Sequence, residues 1–178
     1  MAINSATVVL NRAFLSAALV EAARTRLADR IDMLVVHTVY DEGQVHLRWL
    51  EALTPDEAVR LFKVALTDAA VDAVAQSNQP VPPVGTGGVN LTIKARESHV
   101  VLALDPAVHP WECILRALAG IRSLAQACYF DTWVPVDRHV LVVETDEEQL
   151  VEVIHQFLRR LLHADAPLPV SQSNVSVR

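Results

Sequence analysis

Seven histidines are the first residues that could do chemistry: His37, His46, His99, His109, His139, His155 and His163. As neutral imidazoles they could ligate a metal, and near neutral pH they could move protons. A zinc site written in sequence needs pairs at short fixed spacing, and neither HExxH nor HxxxH nor CxxC occurs here. Gly85-Thr86-Gly87-Gly88 could point backbone N–H groups at an anion. A phosphate loop, however, continues into Lys-Ser or Lys-Thr and a helix, whereas Val89–Arg96 reads as a strand, so a plain linker is the expectation. No metal and no cofactor is expected.

Cys113 and Cys128 are the only cysteines. Gln126-Ala127-Cys128 shares three letters with the caspase nucleophile signature. The residues that should follow are Tyr129 and Phe130 instead, and no His-Gly dipeptide occurs, so the match is chance and no catalytic residue is assigned. If both cysteines lie on one helix, fifteen residues apart, they are separated by roughly 22 Å, far beyond the roughly 7 Å that a disulfide allows. They read as small buried apolar residues in a reducing compartment, which points to the cytoplasm.

The elements that must position these residues follow from periodicity. The driest stretch is Pro110–Tyr129, expected as one helix. Ile114, Leu115, Leu118, Ile121, Ala125 and Cys128 make a stripe at helical spacing, widened by Trp111, Ala117 and Leu124. Such a helix needs cover on most sides, from its own domain or from a second copy. Trp111, Leu115, Leu118 and Arg122, with the loop residue Trp133, are therefore the candidate interface.

Upstream, residues 6–10 read as a strand or as the first turns of a helix. Asn11 is placed to cap a helix over Arg12–Arg30 that buries Phe14, Leu15, Ala18, Leu19, Ala22 and Leu27. Residues 33–40 and 44–52 form a hairpin with Gly43 in the turn. Thr54-Pro55-Asp56-Glu57 opens a helix running to about Gln76. Residues 77–88 form a Pro- and Gly-rich loop. Residues 89–96 and 99–104 make a second hairpin, which leads into the dry helix. Residues 138–144 are a strand, and Thr145-Asp146-Glu147-Glu148 caps a final helix that buries Leu150, Val151, Ile154, Phe157, Leu158 and Leu161. The tail 164–178 has little to bury.

This order, β-α-β-β-α-β-β-α-β-α, predicts an α+β fold: a mainly antiparallel sheet of five or six strands with about four helices, mostly on one face. Residues 1–163 would be one domain, built of two related halves joined by 77–88. In element order and size, pieces of this plan are similar to profilin-like roadblock domains and to the acidic dimeric chaperones of secretion systems. No motif carries the similarity, so it implies no particular residue.

Alternation along the strands predicts a polar, basic sheet face. If Val45, Leu47, Trp49, Leu91, Ile93 and Ala95 face the helices, His46, Arg48, Asn90, Thr92, Lys94 and Arg96 face away. The plain reading is a solvated face; the functional reading is a docking surface for an acidic peptide, an anion or a second subunit. The net charge of −6 argues against nucleic acid as the main partner. No run reaches the roughly 18 apolar residues of a membrane span, and the first residues lack a basic stretch typical of a signal peptide. The 52% apolar composition requires a folded chain. The resulting expectation is a non-enzymatic protein–protein interaction module, a small cytoplasmic adaptor or chaperone-like subunit acting as a homodimer. The alternative is a small enzyme or ligand sensor, with His37, Tyr40, Trp111 and Cys113 as the first residues to inspect.

Overall fold

The computed structural model describes residues 4–11, 17–28, 32–39, 42–49, 53–76, 91–96, 99–105, 108–109, 111–131 and 139–162. At 9–11, 17, 32–39, 42–43, 91 and 95–96 the backbone alone is described. The fold is α+β, with four α-helices and seven strands among the described residues. The strands form two sheets rather than one, in the orders β1-β3-β2 and β4-β5-β7-β6. The chain divides into two compact units. The first is 1–69 with 129–136 and the second is 70–128 with 137–178. The division falls inside a helix, between Ala69 and Ala70; the loop 77–88 and the tail 164–178 lie outside the described residues.

In the first unit, β1 (Asn4–Asn11) pairs antiparallel with β3 (Glu42–Trp49), and β3 pairs with β2 (Asp32–Val39). Asn11 ends β1 opposite Glu42, and Gly43 lies within the ladder instead of in a turn; the residues after Asn11 that it is expected to cap lie outside the described residues. Helix α1 is described over Ala17–Arg26; residues 12–16 and 29–30 of the expected helix lie outside the described residues. Its buried side is Val20, Ala23 and Leu27, while Ala18 is exposed. The apolar positions are thus in a neighbouring helical phase, one an alanine-rich sequence barely distinguishes. Phe14 and Leu15 lie outside the described residues.

Helix α2 (Pro55–Gln76) has the expected bounds. The Glu57 backbone N–H donates to Thr54 Oγ1 at 3.2 Å, the cap that Thr-Pro-Asp-Glu announces. Ala58, Phe62, Ala65, Leu66 and Ala69 are buried, but Leu61 and Val74 are only half-buried. Thr67, 1% exposed, donates from Oγ1 to the Lys63 carbonyl at 2.8 Å and accepts from the Phe130 N–H at 3.2 Å. Lys63 Nζ donates to the Asp131 carbonyl at 2.8 Å and to Asp131 Oδ1 at 3.2 Å. These bonds tie segment 129–131 to the first unit.

In the second unit, β4 (Leu91–Arg96) pairs with β5 (His99–Leu104), and β5 with β7 (His139–Glu144). In both units the later strand of the hairpin becomes central, because its free edge is taken by a strand from elsewhere in the chain. Pairing β1 to β3 and β7 to β5 satisfies backbone groups locally and produces two sheets where one was expected.

Helix α3 (Trp111–Ile121) stops well short of Tyr129. The N–H groups of Leu124 and Ala125 bond the Ile121 carbonyl at 2.9 and 3.0 Å, and the Gln126 N–H then reaches the Glu144 carbonyl at 2.8 Å. The chain continues as β6 (Ala127–Phe130), with Cys128 and Phe130 buried and Ala127 and Tyr129 half-buried. A stripe that fits helical spacing here also fits strand alternation, and a ladder bond to β7 decides between them. Neither cysteine is in a disulfide, as expected, but not because one rigid helix holds them apart.

Helix α4 (Leu150–Leu162) packs against α3. It follows a short 3₁₀ turn over Glu147–Gln149. The residue at the cap is Asp146, which makes no side-chain cap bond, and Thr145 Oγ1 is buried with no partner among the described residues. The expected capping box is not formed. Val153, Ile154, Phe157, Leu158 and Leu161 are buried, whereas Val151 is 76% exposed.

A Cβ at Gly120 of α3 would lie 2.7 Å from Arg160 Nε and 2.9 Å from Arg160 Cδ. Two substitutions test this packing. Leu118→Ala should cost about 2–5 kcal/mol in urea unfolding, because Leu118 is wholly buried. Gly120→Ala should be close to neutral in the wild type, since better helix propensity of roughly 1 kcal/mol offsets displacement of Arg160. With Arg160→Ala in place, the same change should stabilise; equal effects in both backgrounds would refute the close approach.

Candidate functional site

Two groups of polar residues are positioned by these elements. In the first unit, strand β3 sends Val45, Leu47 and Trp49 inward, at 0%, 0% and 1% exposure. Trp49 Nε1 donates to the Leu53 carbonyl at 3.0 Å, so its one polar atom is satisfied. Gln44, His46 and Arg48 take the opposite face and are half-buried. Register sets Thr7 beside His46 and Ser5 beside Arg48, and directly opposed residues share a face. Ser5 and Thr7 are exposed. Thr7 Oγ1 lies 3.0 Å from His46 Nδ1, a bond whose direction depends on the histidine tautomer. The result is a polar platform on a sheet whose other face is apolar.

The expected basic patch divides. His46 and Arg48 belong to the three-stranded sheet, while Thr92, Lys94 and Arg96 belong to β4 of the four-stranded sheet. Thr92 and Lys94 are exposed and Ile93 is buried between them. The alternation is as expected, but one continuous sheet face does not exist. Arg96 is placed by its backbone, opposite His99; Asn90 lies outside the described residues.

The second group sits where β5 passes into α3. The His109 N–H donates to the Asp105 carbonyl at 2.9 Å, and His109 is 5% exposed. Trp111 opens α3, and its ring centroid is 5.7 Å from that of His139 at an interplanar angle of 59°. His139 begins β7 opposite Leu104, next to Asp105 in the chain. Burial lowers the pKa of His109, partly opposed by Asp105, and burial lowers that of His139. Both favour the neutral imidazole. Burial also raises the Cys113 thiol, helped by Glu112 and opposed by Arg116, which makes Cys113 a poor nucleophile. The sequence holds no spacing signal for this corner. His109 and His139 are thirty residues apart in numbering, and β5–β7 pairing alone brings their segments together. Among the described residues, no three His, Cys, Asp or Glu side chains converge to hold a metal.

The candidate interface residues are placed as follows. Leu115 and Leu118 are 1% and 0% exposed; the chain itself covers them, and they offer no surface. Arg122 Nη2 pairs with Asp72 Oδ1 at 2.8 Å. Trp111 is half-buried against His139. Trp133, Tyr40 and the His37 side chain lie outside what is described. No helix among the described residues is long and apolar enough to cross a membrane.

The corner predicts a pH dependence. A histidine whose pKa is lowered by folding binds more protons when unfolded. Its contribution to stability is complete above the unfolded value of about 6.5 and is lost as pH falls toward the folded value. The urea midpoint should hold steady from about pH 8 to 7 and fall below about pH 6.5. Combining His109→Gln with His139→Gln should flatten that decline. A wild-type midpoint unchanged down to about pH 5.5 would contradict this account.

Against this geometry, comparison with known families and with curated proteins gives no match: no family model fits the chain, and no curated protein is similar to it.

Proposed function

We propose that the chain is a non-enzymatic protein-binding module, a small cytoplasmic adaptor or chaperone-like subunit that acts as a homodimer. The observation that carries this reading is the polar platform of the three-stranded sheet. A wholly buried row of Val45, Leu47 and Trp49 fixes its backbone, and Ser5, Thr7, His46 and Arg48 stand on its outward side. A rigid sheet that presents hydroxyls, an imidazole and a guanidinium suits an acidic partner segment, because the polar groups are pre-organised and little side-chain freedom is lost on binding. Among the described residues, both outer strands of this sheet, β1 and β2, also have one ladder side without a strand neighbour, the geometry used when an extended peptide adds to a sheet.

A second reading, a small enzyme or ligand sensor, draws support from the His109–Trp111–His139 corner. There an aromatic ring and neutral imidazoles could receive a small molecule. Quenching of tryptophan fluorescence by a small-molecule library, lost in Trp111→Phe, would favour this reading over the first.

The binding reading is tested by capturing partners from the native cell with wild-type bait and with Arg48→Glu bait, and quantifying each captured protein. At least one specific partner should fall roughly tenfold, the size of a lost charge-assisted contact. Identical recovery with both baits, and with bait that also carries Lys94→Glu, would remove the sheet-face assignment. Light scattering on the purified chain tests the homodimer separately.

A further inference from the structure

The four-stranded sheet has an inner face on which Ile93, Val100, Leu102, Leu104, Leu141 and Val143 are each at most 1% exposed. Its other face follows from register. Lys94 lies beside Val101, and Val101 beside Val142; Thr92 lies beside Ala103, and Ala103 beside Val140. Opposed residues point to the same side. Thr92 and Lys94 are exposed, Val101, Ala103 and Val140 are half-buried, and Val142 is 8% exposed. A sheet face meant for water carries polar residues at these positions. Here the centre is valine and alanine, and the polar residues stand at the β4 edge. The next row brings His99 beside Glu144. The face therefore runs from a lysine on β4, across an apolar middle, to a carboxylate on β7.

We propose that this face is the self-association surface, covered by the same face of a second copy. The inference rests on the homodimer reading above and names the surface that reading leaves open. Charge arrangement selects a second copy as the occupant. A two-fold axis along β5 lays β4 of each copy over β7 of the other. Each Lys94 then faces the strand that carries the other copy's Glu144, and the valines of both copies meet between them. Packed sheets lie about 10 Å apart, a gap that lysine and glutamate side chains reaching from opposite sides can span. Such a contact is self-complementary and closes at two chains. Opposite charges fix the relative orientation, and the apolar middle supplies the attraction. Monomer and dimer should exchange as concentration changes.

Sedimentation velocity over a concentration series decides the matter. It should compare the wild type, Val101→Arg with Val140→Arg, Lys94→Glu alone, and Lys94→Glu with Glu144→Lys, with circular dichroism on each. The wild type should shift toward dimer with concentration. The double-arginine variant should stay monomeric with an unchanged spectrum. Lys94→Glu should weaken the dimer about tenfold, and the charge exchange should recover a large part of that loss. A dimer equally strong in all variants would overturn the surface while leaving the homodimer reading intact. A wild type that stays monomeric throughout would overturn both. If the arginine pair disturbs the spectrum, the exposed Lys94 series decides alone: loss with recovery upholds the proposal, and no change refutes it.

Discussion

Helix α3 meets water on one side only, where Glu112 and Ala119 are exposed and Arg116 and Gly120 are half-buried. Cys113, Ile114, Leu115, Ala117, Leu118 and Ile121 are all buried, and leaving such a surface wet would cost about 25 cal/mol for each Å² exposed. The second unit is arranged around that constraint. Helix α4 packs against α3 and brings its own row of Val153, Ile154, Phe157, Leu158 and Leu161. Gly120 lets the Arg160 side chain lie close across α3, where its aliphatic stem covers apolar surface while the charged end stays in water. Because the chain supplies the cover, the dryness of α3 carries no information about a second copy.

The same need to satisfy backbone and polar groups sets the edges of the elements. At the end of α3 the Gln126 N–H leaves helical pairing for the Glu144 carbonyl, and the Gln126 side chain reaches Asp146 Oδ1 at 2.8 Å. One turn earlier, Arg122 is held by Asp72. In the first unit Thr67 serves as both donor and acceptor at a buried position of α2. A threonine in a helix interior lowers helix propensity, and here its hydroxyl gives the buried Phe130 N–H an acceptor.

Polar groups in the two units are treated differently, which bears on what each can do. On the three-stranded sheet, His46 and Arg48 are half-buried beside exposed Thr7 and Ser5. At the β5–α3 corner, His109 and His139 are withdrawn from water far enough to favour the neutral form. A partly open sheet face suits recognition, and a closed corner suits stability or a small ligand.

Much of the layout was legible in the sequence. Helix α2 and strand β5 have the bounds that their caps and alternation indicate, since Thr-Pro-Asp-Glu and an apolar-polar strand are local signals. The alternation that buries Val45, Leu47 and Trp49 and leaves His46 and Arg48 outward was equally local. What the sequence could not express was which strand pairs with which. Apolar residues at 125 and 128 fit a helix and a strand alike, and Thr145–Glu148 spells a capping box that the backbone does not form. Only strand pairing decided the rest: β7 takes Ala127–Phe130 as a neighbouring strand, two sheets form in place of one, and the histidine at 139 meets the tryptophan at 111. Local patterns determine which residues seek burial. Long-range hydrogen-bond pairing determines where they find it, and a functional surface made of several strands exists only at that second level.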